Sequence, residues 1–101
     1  MTAILTDTLN ANDTTSVSAA LPLITETIVS LYVFHNSGNN DNYRTVLMAS
    51  PVAAGGNWRQ VGQVINGVGE TTITIAAQRV RAKIFTAEGT TSSITFHIVA
   101  K

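Results

Sequence analysis

The residues best placed to do chemistry form a row of cations on one predicted strand. From Arg79 onward the chain alternates, so that Arg79, Arg81 and Lys83 share one side with Phe85, while smaller and apolar residues fill the other. Neighbouring cations on one side of a strand lie about 7 Å apart and repel one another, so water, acidic neighbours or an anionic partner must offset the repulsion. The chemistry that this row offers is electrostatic contact.

The partner of this row is suggested by the uneven distribution of charge along the chain. Residues 1–43 contain four acids and no Lys or Arg, whereas residues 44–101 contain six cations and two acids. Either neighbouring strands of one domain neutralise each other, or an acidic N-terminal segment meets the basic row of a neighbouring subunit. The net charge of zero argues against nucleic acid, because a domain that binds phosphates is normally basic.

No arrangement typical of catalysis or of metal binding occurs in the sequence. Cys is absent. Neither His35 nor His97 has a recognisable partner for a catalytic triad, and the sequence contains no Gly-x-Ser-x-Gly motif to hold a nucleophilic serine. The six carboxylates are spread along the chain rather than paired. His35 and Asp41 stand in an Asn-rich loop that offers calcium one carboxylate, too few for tight binding, so we interpret it as a polar loop. We expect a protein that is not an enzyme and holds no metal or cofactor.

Aromatic residues suggest an alternative function. Sugars stack on aromatic platforms in carbohydrate-binding sandwiches, and four residues are candidates for such a platform: Tyr32, Phe34, Tyr43 and Trp58. The competing interpretation places most of them in the core or a subunit interface, because a domain of 101 residues has few other large side chains to pack. A carbohydrate- or receptor-binding module, such as a fibre or tail component, is therefore the alternative function.

Seven or eight short strands are predicted to position these residues. Alternation of apolar and polar residues indicates strands at 14–20, 25–35, 43–50, 57–65, 68–75, 79–86 and 93–101, and no helical segment is convincing. Segment 25–35 is apolar on both sides, which predicts a central strand whose second face is covered by the N-terminal arm or by a neighbouring subunit. Asn66-Gly67 predicts a type I′ hairpin. The pattern predicts an all-β protein, an antiparallel β-sandwich that is Ig-like or jelly-roll-like, with an N-terminal arm.

The length predicts a single domain, with residues 1–24 as N-terminal arm and edge strand and residues 25–101 as the β-sandwich. Charged residues make up only 12% of the chain, about half the usual share, so we expect the protein to associate with itself or with other subunits. No apolar run is long enough to cross a membrane as a helix, so no membrane partner is expected. The first residues lack the basic start and apolar core of a signal peptide, which predicts synthesis in the cytoplasm.

Two segments carry a resemblance to a known group of proteins. Residues 70–85, Glu-Thr-Thr-Ile-Thr-Ile-Ala-Ala-Gln-Arg-Val-Arg-Ala-Lys-Ile-Phe, and residues 93–100, Ser-Ile-Thr-Phe-His-Ile-Val-Ala, resemble in composition the small all-β accessory proteins of tailed-bacteriophage virions, of the capsid decoration or cement type. The resemblance implies a non-enzymatic virion protein that binds the assembled capsid lattice, commonly as a trimer. It implies the major capsid protein or other virion subunits as partners.

The candidate interface combines apolar residues of the arm, aromatic residues and the basic row. Its members are Ile4, Leu5, Leu9, Tyr32, Phe34, Trp58, Arg79, Arg81, Lys83 and Phe85.

Overall fold

Eight strands and no helix make up the part of the chain that the structure describes. The computed structural model describes residues 2–10, 17–37, 43–86 and 93–101. The strands are β1 (Ala3–Asn10), β2 (Leu21–Pro22), β3 (Ile28–Ser37), β4 (Arg44–Ser50), β5 (Arg59–Asn66), β6 (Gly69–Thr74), β7 (Arg79–Thr86) and β8 (Ser93–Ala100). The described ranges hold no helix of the length and apolarity that crossing a membrane requires. The all-β prediction is confirmed.

The strands form two antiparallel sheets of four strands each. The first sheet has the order β1-β8-β3-β6 and the second has the order β2-β7-β4-β5. The chain passes from one sheet to the other at every connection except that between β4 and β5. This connectivity is that of a jelly roll, one of the two kinds of sandwich that the sequence predicts.

The core lies between the sheets and is built from alternate residues of the central strands. On β8, Ile94, Phe96 and Ile98 are buried, while the residues between them are only partly covered. On β7, Val80, Ala82 and Ile84 are buried in the same way and place the basic row on the opposite side. Period-two alternation thus determines which side of β7 and of β8 faces the core, as predicted.

Part of the predicted N-terminal arm is a strand. β1 pairs with β8 along its whole length, and Leu5 and Leu9 pack against the core. Asp7 occupies the inward position between them, where its Oδ2 accepts a hydrogen bond from the backbone N–H of Ala19 at 2.8 Å. This bond ties β1 to the segment that leads into β2. β1 is therefore held to the sandwich by the carboxylate of Asp7 as well as by its leucines.

The edge strand predicted at 14–20 lies partly outside the described residues. Within it, Val17 forms a single bridge with Lys83, and the N–H of Ser18 donates to the carbonyl of Ala82 at 2.8 Å. The edge strand of the second sheet is instead the two-residue β2, where Pro22 is tolerated because an edge strand leaves one row of hydrogen-bonding groups unused.

The prediction of a type I′ hairpin at Asn66-Gly67 is wrong. β5 belongs to the second sheet and β6 to the first, so this turn carries the chain across the sandwich instead of joining two paired strands. Gly67 has a φ of 66°, whereas Asn66 is not among the residues with positive φ, and a type I′ turn requires positive φ at both. The N–H of Gly67 donates to the carbonyl of Tyr43, which fixes the corner against the start of β4.

β3 is the central strand that the sequence predicts, lying between β8 and β6. Its inward residues Val29, Leu31 and Val33 are fully buried. Its outward side is open, and Phe34 is 45% exposed. β1 extends the same sheet and does not lie over it, so this part of the predicted arm leaves the outer face of β3 uncovered.

Candidate interaction site

The structure distributes nine of the ten predicted interface residues over two outer faces and the core. The outer face of the first sheet carries Ile4, Tyr32 and Phe34. The outer face of the second sheet carries Trp58, Arg79, Arg81 and Lys83. The residues that pack against the core are Leu5 and Leu9. Phe85 belongs to β7, and its side chain lies outside the described part of the chain.

On the first sheet, the aromatic patch consists of Tyr32, Phe34, His97 and Val68. Tyr32 lies directly opposite His97 on the neighbouring strand. The rings of Tyr32 and Phe34 are parallel within 4°, with centroids 6.5 Å apart, and Phe34 meets His97 edge to face at 5.6 Å. Phe34 and Val68 are 45% and 46% exposed, and a shallow groove runs between them along β3 and β6. The patch is apolar, aromatic and open to solvent.

Hydroxyl groups hold the outer face around the patch. The hydroxyl of Thr6 lies 3.0 Å from Nδ1 of His97, which orients the imidazole ring against Phe34. On the same outer face, between β3 and β6, Ser30 and Thr72 pair through their hydroxyls at 2.7 Å. Cross-strand pairs of this kind stabilise a sheet and restrict its side chains, so the patch is presented in a defined arrangement.

On the second sheet, the basic row is Arg79, Arg81 and Lys83, and the indole of Trp58 lies against it. The guanidinium carbons of Arg79 and Arg81 lie 4.7 and 4.1 Å from the centre of the indole ring. Trp58 precedes β5, and β4 runs between β5 and β7, so the indole reaches across β4 to the cations. Such cation–π contacts stabilise the cations by about 0.5–2 kcal/mol each.

The two arginines are bound differently. Nε of Arg79 donates to the carbonyl of Val52 at 2.9 Å, and its Nη2 donates to the carbonyl of Gly55 at 2.8 Å, which fastens the loop after β4 to β7. Arg81 has no hydrogen-bond acceptor among the described residues, and its Nε is buried. Burial, and then the positive charge of Arg79, lower the pKa of Arg81 below its ordinary value, although a guanidinium remains protonated at neutral pH.

The interpretation that acids on an adjacent strand neutralise the row finds no support within the described ranges. The neighbours of β7 are β2 and β4, and neither contains a carboxylate. Within those ranges, the indole of Trp58 and the carbonyls of Val52 and Gly55 offset the repulsion instead.

The four aromatic residues proposed as one sugar-binding platform do not come together. Tyr43 is fully buried in the core, and Trp58 lies on the opposite face of the sandwich from Tyr32 and Phe34. In the described part of the chain, no group of three or more His, Asp or Glu side chains converges on a metal-sized site. The calcium-loop residues Asp41 and its asparagine neighbours at 39, 40 and 42 lie outside the described residues.

Sequence reasoning missed the partners that complete both surfaces. Val68 flanks Phe34 only because the chain changes sheets at Gly67, and no local pattern signals that corner. The contact of Trp58 with Arg81 spans an intervening strand, so it depends on strand order. The outward position of His97, by contrast, agrees with the simple alternation of β8.

The comparisons with known proteins rest on fold. No family model matches the chain, and no curated protein matches it in sequence. Among solved structures, PliG of Aeromonas hydrophila, a periplasmic inhibitor of g-type lysozyme, is 12% identical with a TM-score of 0.59, over 99% of this chain and 86% of that chain. A chain of the cyanophage Pam1 capsid asymmetric unit is 10% identical with a TM-score of 0.53, over 99% of this chain and 82% of that chain. At these identities the likeness shows a shared fold.

Proposed function

We propose that this protein is a non-enzymatic structural component of a virion, which decorates an assembled capsid and binds its subunits through the aromatic patch. The observation that carries the proposal is the open outer face of the first sheet, where Phe34 and Val68 are nearly half exposed beside Tyr32 and His97. Exposed apolar patches on small proteins mark interaction sites, and aromatic residues are enriched at the centres of interfaces.

Three further observations support the proposal. The chain has few charges and a net charge of zero, which gives it little electrostatic protection against association. Its jelly-roll connectivity is one that capsid domains use. The matched chain in the cyanophage capsid asymmetric unit is also comparable in length, since the alignment spans most of both chains. A protein that binds only the assembled lattice stabilises that lattice by mass action.

The patch also suits contact between copies of this chain. Its four members are aromatic or apolar side chains, and the exposed Glu70, which pairs with Tyr32 across the strands, lines the same groove. If the patch binds the capsid, self-association through the patch competes with capsid binding for the same surface. If copies associate through the patch and the oligomer binds the lattice through another face, both contacts form together.

The fold of the lysozyme inhibitor supplies a rival function, and one experiment separates the two. Purified protein is mixed with capsids assembled without it, and bound protein is measured by co-sedimentation. We expect saturable binding that falls at least about tenfold when Tyr32 and Phe34 are both changed to Ser, because aromatic anchors commonly contribute 2 kcal/mol or more.

Ile24→Ser is the matched control. Ile24 is 82% exposed but lies in the loop between β2 and β3, away from the patch, so this variant removes an exposed apolar side chain and is expected to bind as the parent does. In parallel, the protein is assayed for inhibition of a g-type lysozyme. Inhibition without capsid binding would overturn the proposal in favour of the rival.

A further inference from the structure

The outer face of the second sheet carries positive charge that the described part of the chain does not neutralise. Arg79, Arg81 and Lys83 stand in one row there, and Arg44 lies on the neighbouring strand. The acidic residues that the structure describes have other partners or lie on the other sheet. Asp7 and Glu26 accept backbone N–H groups, and Glu70 lies on β6 of the opposite sheet. The face is therefore complementary to an anionic partner.

Arg81 is the least satisfied member of the row. Arg79 donates to two carbonyls of the loop after β4, whereas Arg81 finds no acceptor among the described residues and has its Nε shielded from water. A donor that is removed from water without an acceptor costs free energy, and a charged donor costs more than a neutral one. The indole of Trp58 supports the charge of Arg81 but accepts no conventional hydrogen bond from it.

We propose that the basic row binds an extended acidic segment of a neighbouring protein subunit, with one carboxylate on Arg81 and another on Lys83. Side chains on one side of an extended segment repeat about every 7 Å, which matches the spacing of Arg81 and Lys83 along β7. A carboxylate accepts from a guanidinium through two parallel hydrogen bonds, and Arg81 has no competing acceptor among the described residues. The inference depends on the proposed function in one respect: it takes the neighbouring subunit to be another virion protein.

An acidic polypeptide fits the face better than a nucleic acid does. Arg79 already holds the loop after β4, so Arg81 and Lys83 are the members of the row that remain for a ligand. Nucleic-acid affinity depends on neutralising several phosphates, and the whole chain has a net charge of zero. Binding of an oligonucleotide is accordingly an outcome that the experiment must be able to detect.

Trp58 provides the reporter, because it is the only tryptophan and lies against both arginines. The full-length protein is titrated with a synthetic peptide of alternating Glu and Thr, with the same peptide carrying Gln in place of Glu, and with a single-stranded oligothymidine. Tryptophan emission and backbone amide NMR shifts of residues 79–83 are followed. We expect the Glu peptide alone to bind, at residues 79–83, with an affinity that falls as salt is raised.

Variants test the assignment to the row. Arg81→Gln and Lys83→Gln are each expected to weaken the Glu peptide at least about tenfold, since each removes a charge-assisted bond. Lys101→Gln removes one positive charge at the end of β8, on the first sheet, and is expected to change the affinity less than twofold. Unfolding curves establish that each variant is folded. If Arg81→Gln does not fold, the affinity of Lys83→Gln for the Glu peptide alone tests the assignment of the site to the basic row.

The proposal is overturned if neither peptide binds, if the Gln peptide binds equally well, or if the oligothymidine binds more tightly than the Glu peptide. Equal weakening by Lys101→Gln would also overturn it, because the effect would then belong to net charge. Capsid binding through the aromatic patch is measured separately with the variants of Tyr32 and Phe34. Loss of the acidic-peptide site therefore leaves that proposal standing, and the reverse also holds.

Discussion

The guanidinium carbon of Arg81 lies 4.1 Å from the centre of the Trp58 indole ring, although β4 separates β7, which carries Arg81, from β5, which Trp58 immediately precedes. The indole thus spans the outer face of the second sheet and couples β7 to the segment that enters β5. A row of cations that would otherwise repel one another is held together by an aromatic ring and by loop carbonyls. Among the described residues, Nε of Arg81 has no hydrogen-bond acceptor in this arrangement.

Removing the indole should therefore weaken the second sheet. Trp58→Ala loses both cation–π contacts and half-buried packing area, and we expect the free energy of unfolding to fall by roughly 1–3 kcal/mol. Trp58→Phe should lose less, because a ring remains over the guanidinium groups. Urea unfolding followed by circular dichroism measures both. Equal stability of the parent and Trp58→Ala would show that the indole only rests on the surface.

Arg79 is predicted to stabilise the loop between β4 and β5. Its side chain donates to the carbonyls of Val52 and Gly55, and Arg79→Gln cannot reach both. Hydrogen bonds of charged groups contribute about 1.5–3 kcal/mol, so we expect a loss of about 1–3 kcal/mol together with faster amide exchange at 52–56. Arg44→Gln, at an exposed position of β4, should change stability by less than about 0.5 kcal/mol. Unchanged exchange in the loop of Arg79→Gln would contradict the assignment.

Gly62 is predicted to be intolerant of a side chain. Its φ of 73° is one that other residues rarely adopt, and a Cβ there would lie 2.9 Å from Cγ2 of Ile73 on β6. We expect Gly62→Ala to reduce the free energy of unfolding by roughly 1–3 kcal/mol. Gly56→Ala is the matched control, because nothing lies within 4 Å of its Cβ position and its φ is not positive. The two variants should differ clearly in thermal unfolding, and equal transition temperatures would disprove a close approach of β5 to β6.

Glu26 should make stability depend on pH below neutrality. The carboxylate is buried and accepts hydrogen bonds from the backbone, first from the N–H of Ile24 and also from that of Thr25, and these bonds lower the pKa of Glu26 below its ordinary value of 4.5. Because the folded pKa lies below the unfolded one, the contribution is complete above about pH 4.5 and is lost as the pH falls through the folded value.

The measurement compares the parent with Glu26→Gln between pH 7 and pH 3. The parent should be the more stable at pH 7, and the difference should shrink as the pH falls below 4.5. Glu70→Gln serves as the charge-matched control at pH 7, where a surface substitution should change stability little. A difference that stays constant over the whole range would show that Glu26 contributes through packing instead.

The sequence predicts the core strands well because their alternation is strict. On β7 and β8 every inward residue whose burial is described is apolar, so the period alone assigns Val80 and Ile94 to the core and the basic row to the opposite side. β1 is harder to recognise because Asp7 stands at an inward position between Leu5 and Leu9. The reason for Asp7, its bond to the N–H of Ala19, is a tertiary contact that no local pattern contains.

The features that could not be predicted from the sequence are those that depend on the order of the strands in the two sheets. Asn66-Gly67 has the residues of a hairpin, but whether the next strand pairs with the last one or crosses to the other sheet depends on the global topology. The same limit applies to the aromatic residues. Trp58 and Phe34 lie on opposite faces because β5, which follows Trp58, and β3, which carries Phe34, belong to different sheets. Composition alone suggested a single platform, which does not form.

The most direct test of the central claim asks what covers the aromatic patch in the native particle. A photoreactive p-benzoylphenylalanine is placed at position 34, on the patch, or at position 24, where Ile24 is 82% exposed but lies outside it. Virions containing either variant are irradiated, and cross-linked products are identified by mass spectrometry. The account predicts cross-links from position 34 to a virion subunit or to a second copy of this chain, and few from position 24. Equal labelling from both positions, or none from position 34, would contradict it.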